Sequence, residues 1–219
     1  MAPPREGRRD LHLGGTVVSG SSPPGTVPLE PGERPPDRPF ADPEATPSDL
    51  ATLAAIRAAQ RERIREERGS GTWTDGTGAS HWLVAPRPEL LVGHDSCLAI
   101  GFFGQAREGV DHGIIVSLEH DILARAAEIA GLLSYHNVQL GGGQWGNLVL
   151  FRAGTETALL GNDPSHADAI GRAPAHYHSL RLHRGTLRDG PLGAREFELA
   201  TTLYLDFGVT PPWRAVRAA

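Results

Sequence analysis

Along the second half of the chain the apolar positions fall into short blocks, each with its own period. "SCLAIGFFGQA" (96–106) is apolar on both faces and predicts a strand buried at the centre of a sheet. "GIIVSLEH" (113–120) spaces Ile114, Val116 and Leu118 two apart, which predicts a second strand. Asp121 then reads as an N-cap for "ILARAAEIAGLLSYHN" (122–137). There Ile122, Ala126, Ile129 and Leu133 lie at i, i+4, i+7 and i+11, and His136 continues the stripe. That run predicts a helix, closed by Asn137 and the glycines after it. "QWGNLVLF" (144–151) and "ETALL" (156–160) predict two further strands around an Ala153-Gly154 turn. Asp163-Pro164 opens a helix over "SHADAIGRAPAHYH" (165–178), divided near Pro174. "SLRLHRGTL" (179–187) and "EFELATTLYLDF" (196–207) close the series as strands.

Before residue 96 the pattern differs. Ser48 reads as the N-cap of a helix through "DLATLAAIRAAQRERIREERG" (49–69), whose second half is charged on every face and predicts a solvated or interface surface. "TWTDGTGASHWLVA" (72–85) predicts a hairpin with Trp73 and Trp82 on its strands. Residues 1–47 hold eleven of the eighteen prolines and too little apolar surface to offset their ordering entropy. They predict a disordered leader, in which "LHLGGTVVSG" (11–20) could lie on the domain as an edge strand. The chain thus divides into a leader (1–47), a charged helix (48–70) and an α+β domain (71–219).

Composition narrows the function classes. Net charge is −5 and the 21 basic residues are dispersed, so no basic stripe points to nucleic acid. Cys97 is the single cysteine, which excludes an intramolecular disulfide and suits a reducing compartment. No apolar run reaches membrane-spanning length. The chain reads as soluble and cytoplasmic.

The predicted order over 112–188, β-α-β-β-α-β, is that of a ferredoxin-like antiparallel sheet with both helices on one face, extended here by additional strands. In element order it resembles the dimeric α/β-barrel superfamily, which includes small monooxygenases, chlorite-dismutase-like heme proteins and aldoxime dehydratases. The resemblance covers about half of the chain and includes no residue motif. It implies a homodimer, a small-molecule pocket between sheet and helices, and oxidative tailoring of a metabolite with heme or without a cofactor.

The chemistry-bearing residues concentrate in "AHYHSLRLHRGTL" (175–187). His176 and His178 sit at the helix-to-strand corner, and in an extended strand Arg181 and His183 share one face. As catalytic residues, a histidine would move a proton and an arginine would orient an anionic group. His136, His166, His176 and His178 are the heme axial-ligand candidates, the first two foremost. Tyr135, Asn147 and Tyr177 are candidate substrate contacts, the first beside an apolar stripe and the second on an apolar strand. No spacing fits a non-heme metal site. "LGGGQWG" follows a helix and precedes a strand, the reverse of a phosphate cradle. Glu119 and Asp206 read as isolated carboxylates at strand ends. Two other classes compete with an enzyme: a non-catalytic small-ligand-binding protein, and an interaction module working through the leader and charged helix.

Overall fold

Among the described residues nine strands hydrogen-bond into one mixed sheet, and the helices divide between its two faces. The computed structural model describes residues 25–93, 95–155 and 164–219. In chain order these form β1 (Thr26–Leu29), α1 (Ala45–Arg65), β2 (Gly71–Thr74), β3 (Ser80–Val84), a short α2 (Glu89–Val92), β4 (Cys97–Ala106) and α3 (Gly113–Ala124). They continue with β5 (Leu132–Gln139), β6 (Gln144–Arg152), α4 (Pro164–His176), β7 (Tyr177–Leu187), β8 (Glu198–Asp206) and β9 (Trp213–Ala218). The order across the sheet is β1-β9-β8-β7-β4-β6-β5-β3-β2. Every pair is antiparallel except β1 with β9.

Strand pleating sends successive side chains to opposite faces, so each central strand serves two cores. On one face Ala99, Phe103, Leu148 and Leu150 meet Leu53 and Ile56 of α1. Gly101 is where helix and sheet come closest: a Cβ there would lie 2.5 Å from Leu53 Cδ1. On the other face Val149 and Phe151 pack with Ile122 near the end of α3 and with Ala126, Ile129 and Leu132 beyond it. There α3 and α4 lie side by side.

The ferredoxin-like expectation is overturned by a mixed sheet of nine strands, and the element assignments beneath it shift as well. "GIIVSLEH", expected as a strand, is α3. Ile115, Val116, Glu119 and Ile122 also stand at helical spacing, and a short apolar run satisfies both periods. The helix expected over 122–137 does not form. Gly131, at φ +75°, turns the chain, and Leu132–Gln139 becomes β5, buried on both faces between β3 and β6. The apparent helical stripe there is the product of double-sided burial. α4 runs through Pro174 without dividing and ends at His176.

α1 starts at Ala45, ahead of the expected cap at Ser48. Its charged half does not face solvent all round. Arg57 is buried and donates to the carbonyls of Pro191, Gly190 and Arg195 and to Asp189, so it fastens the β7–β8 connection. Part of the expected leader is ordered: Thr26–Leu29 is an edge strand, and Arg217 of β9 donates to the carbonyls of Glu30, Glu33 and Ala41. "LHLGGTVVSG" and "ETALL" lie outside the described residues. Among those residues no helix is long and apolar enough to cross a membrane.

Candidate functional site

The polar residues singled out in the sequence divide between the two faces of the sheet. On the α1 face Arg181 and His183 converge on Asp49. Arg181 donates through Nε (2.6 Å) and a terminal nitrogen (2.8 Å), and His183 Nε2 lies 2.8 Å from the same carboxylate. His183 Nδ1 meets Thr202 Oγ1 at 2.9 Å. His183 and Thr202 are fully buried and Asp49 nearly so. Burial alone would push the Asp49 carboxyl up, but the hydrogen bonds from His183 and Arg181 and their charges hold it below the usual range. These residues tie α1 to β7 and β8. The expectation that Arg181 and His183 look into a cavity therefore does not match their placement.

His136 is on the same face, one pleat from Tyr135. Its Nε2 lies 3.1 Å from His81 Nδ1, and His81 Nε2 lies 3.1 Å from Asp75. Burial, with the nearby His81 and Arg63, pushes His136 down to about 3. His178, the second residue of β7, is exposed. Its carbonyl accepts from Phe207 N, and its ring borders Gly208 rather than a pocket.

The opposite face is hollow. A cavity of about 210 Å³ lies between the sheet and the α3–α4 pair. Its floor includes Ile100 and Phe102 of β4, Trp145 and Val149 of β6, and Leu180 and Leu182 of β7. Its roof is a single stripe on each helix: His112, Ile115, Val116, Glu119 and Ile122 from α3 and the residue before it, and His166, Ala169, Ile170, Ala173 and His176 from α4.

Into this mostly apolar space project two polar clusters. In the first, Asn137 Nδ2 donates to both oxygens of Glu119, at 2.9 and 2.8 Å. Tyr135 also hydrogen-bonds the Glu119 carboxylate. The Tyr135 hydroxyl oxygen in turn accepts from Asn147 Nδ2 at 2.9 Å. Burial pushes Glu119 up to about 7, outweighing the bonds from Tyr135 and Asn137 that favour the charged form. Burial and the neighbouring Glu119 raise the Tyr135 phenol well above its ordinary value, so it stays a neutral donor. In the second cluster His112 Nδ1 and His176 Nε2 lie 3.1 Å apart, with the Tyr177 ring edge-on to His176. Burial and then the nearby His112 lower the His176 pKa, against the pull of Asp111.

Of the nine residues expected at a site, the cavity collects Tyr135, Asn147, His166, His176 and Tyr177 and leaves out His136, His178, Arg181 and His183. Sequence reasoning missed Glu119, Asn137 and His112. Glu119, read as an isolated carboxylate, is the group that Asn137 and Tyr135 hold. The signal was present in the helical spacing of His112, Ile115, Val116, Glu119 and Ile122, once the segment is taken as a helix.

Heme does not fit these residues. Of the nominated ligands, His136 faces the other core and is engaged by His81, and His178 is outside the cavity lining. A dry cavity of roughly 150 Å³ admits benzene, so the space here suits a molecule far smaller than a porphyrin. Among the described residues no three His, Cys, Asp or Glu side chains converge as metal ligands.

Comparison with known proteins adds little to this geometry. No family model and no curated protein matches the chain. Among solved structures it is similar to the NE2512 protein of unknown function from Nitrosomonas europaea. The likeness has 20% sequence identity, a TM-score of 0.38, and covers 47% of this chain and 96% of that one. At that level it carries no argument about fold or function.

Proposed function

We propose that the protein is an enzyme that moves a proton on a small, mostly apolar molecule, with Glu119 as the acid–base group. The observation that carries this reading is the position of one carboxyl. Glu119 stands in the wall of an apolar cavity, fixed by Asn137 and Tyr135, and burial brings it to about 7. A general base or acid works best when it titrates near the working pH, and such a group contributes about 10²–10⁴-fold in rate. Asn137 and Tyr135 keep the carboxyl from swinging, and Asn147 keeps Tyr135 in place; these are positioning residues. The volume selects a substrate on the order of ten non-hydrogen atoms, judged against benzene in a somewhat smaller cavity. The reading is one of acid–base chemistry rather than oxidation, because a tuned carboxyl is what the cavity offers. A reducing, cytoplasmic setting accords with Cys97, which is buried against α1 with its thiol pushed up to about 12 by burial.

The test is proton exchange. The full chain is incubated in D₂O with a panel of aryl ketones and phenylacetic esters, phenylacetone first, and loss of the α-proton signal is followed by NMR. Exchange should rise with pH through a group near 7 and fall at least about a hundredfold in Glu119→Gln. Equal rates in the two proteins, or no exchange with any member of the panel, overturns the proposal. Binding of the panel without exchange would favour the non-catalytic ligand-binding protein instead.

A further inference from the structure

The cavity has a polar group at each end of one helix stripe, and this constrains the ligand. His112 immediately precedes α3 and Glu119 lies seven residues on, two turns along the same face. At 1.5 Å per residue the two positions are about 10 Å apart along the axis. Between them the lining is Ile115 and Val116, faced across the space by Phe102 and Trp145. An apolar body flanked by two hydrogen-bonding ends at this separation matches a six-membered ring with substituents at opposite corners, and aromatic walls favour a flat ring.

The two ends differ in chemistry. A neutral imidazole has one N–H, and in the His112–His176 pair one ring donates its proton to the other. The ring that accepts through one nitrogen carries its own N–H on the other, so the pair presents a donor in its neutral state and a second donor once protonated. That end suits a carboxylate or carbonyl oxygen. At the other end the Glu119 carboxylate accepts, which suits a hydroxyl or another weakly acidic proton. The charged and titratable groups packed around the histidine pair are Asp111 before α3, Tyr177 of β7, and Arg107 after β4, whose guanidinium donates to the carbonyls of Pro174 and Phe207. Glu119 is two turns away.

Resting on the acid–base reading of Glu119, we propose that the cavity binds a ring-sized, two-ended molecule. Its acceptor group, a carboxylate or carbonyl, lies at the His112–His176 pair, and its acidic hydroxyl or C–H lies at Glu119.

The probes are 4-hydroxybenzoate, benzoate and phenol, titrated into the full chain by calorimetry at pH 7. 4-Hydroxybenzoate should bind at least about tenfold more tightly than either single-ended probe, the value of one added hydrogen bond to a charged or shared-proton group. Glu119→Gln should erase its advantage over benzoate. His112→Ala should erase its advantage over phenol. Val116→Phe, which fills the middle of the cavity, should weaken all three probes and serves as the check that binding is at this site. Equal affinity for the three probes, no heat from any of them, or an advantage that survives both substitutions overturns the two-ended ligand. Deuterium exchange that depends on Glu119 would survive those results, so the two proposals fail separately.

Discussion

The two faces of this sheet are built from the same strands with opposite outcomes. Beneath α1 the polar side chains are paired and sealed: Asp49 with Arg181 and His183, His183 with Thr202, Gln60 with Ser134, and His81 with His136. Beneath α3 and α4 the polar side chains border a hollow, and the central carboxyl is pushed toward neutrality by burial. Both networks contain the residue types of catalysis. A histidine between a carboxylate and a hydroxyl, as in Asp49–His183–Thr202, makes a fastener when no molecule can reach it. What distinguishes the candidate site from the fastener is open space beside a carboxyl that burial brings to about 7.

That contrast can be broken by experiment. The largest effect belongs to Asp49→Ala, which strands Arg181 and His183 as buried, uncompensated groups; it should cost about 3–5 kcal/mol in urea unfolding. The wild-type contribution of Asp49 has a defined pH range. Because its folded pKa is depressed, the stabilisation is present above the unfolded value, 3.8, and is lost as pH falls through the folded one. Next come two volume changes. Leu53→Ala on the solid face should cost about 2–5 kcal/mol by leaving a void against Gly101. Ala169→Phe on the hollow face should cost less than about 1.5 kcal/mol, because the ring enters existing space. If Ala169→Phe were the more disruptive of the two, the cavity would not be a true void.

Glu119 behaves oppositely to Asp49. Its folded pKa is raised from 4.5 to about 7, so its stabilising contribution is full below 4.5 and disappears as pH rises through 7. Glu119→Gln should flatten that decline and leave the variant more stable than wild type at pH 8, by an amount on the order of 3 kcal/mol. A decline that persists in the variant would assign the titration elsewhere. The smallest effect is at the surface: Arg188→Ala breaks an exposed pair with Glu198 and should shift stability by less than about 1 kcal/mol.

The strands were the most legible part of the sequence. "SCLAIGFFGQA", "QWGNLVLF", "SLRLHRGTL" and "EFELATTLYLDF" correspond to β4, β6, β7 and β8, because alternation or an unbroken apolar run of strand length leaves little ambiguity. Residues 113–137 misled. A strand buried on both faces, β5, and a two-turn apolar stripe, in α3, each satisfy either period over so short a span; for β5 it is pairing with β3 on one side and β6 on the other that decides. The site suffered from that exchange. With α3 read as a strand, Glu119 fell at a strand end, remote from Tyr135 and Asn147. Arg181 and His183 drew attention as a polar face of β7, yet the side on which a strand finds space or a helix is set by partners far away in sequence. Asp49 is 132 residues from Arg181.

Among the described residues β1 pairs with β9 alone, and this has a consequence for synthesis. Thr26–Leu29 leaves the ribosome early but meets its hydrogen-bonding partners only when Arg214–Arg217 has been translated. At about 5–20 residues per second that is a delay on the order of ten to forty seconds. Pro28 within this short segment, having no N–H to offer a neighbouring chain, makes it a poor template for mispairing during the wait.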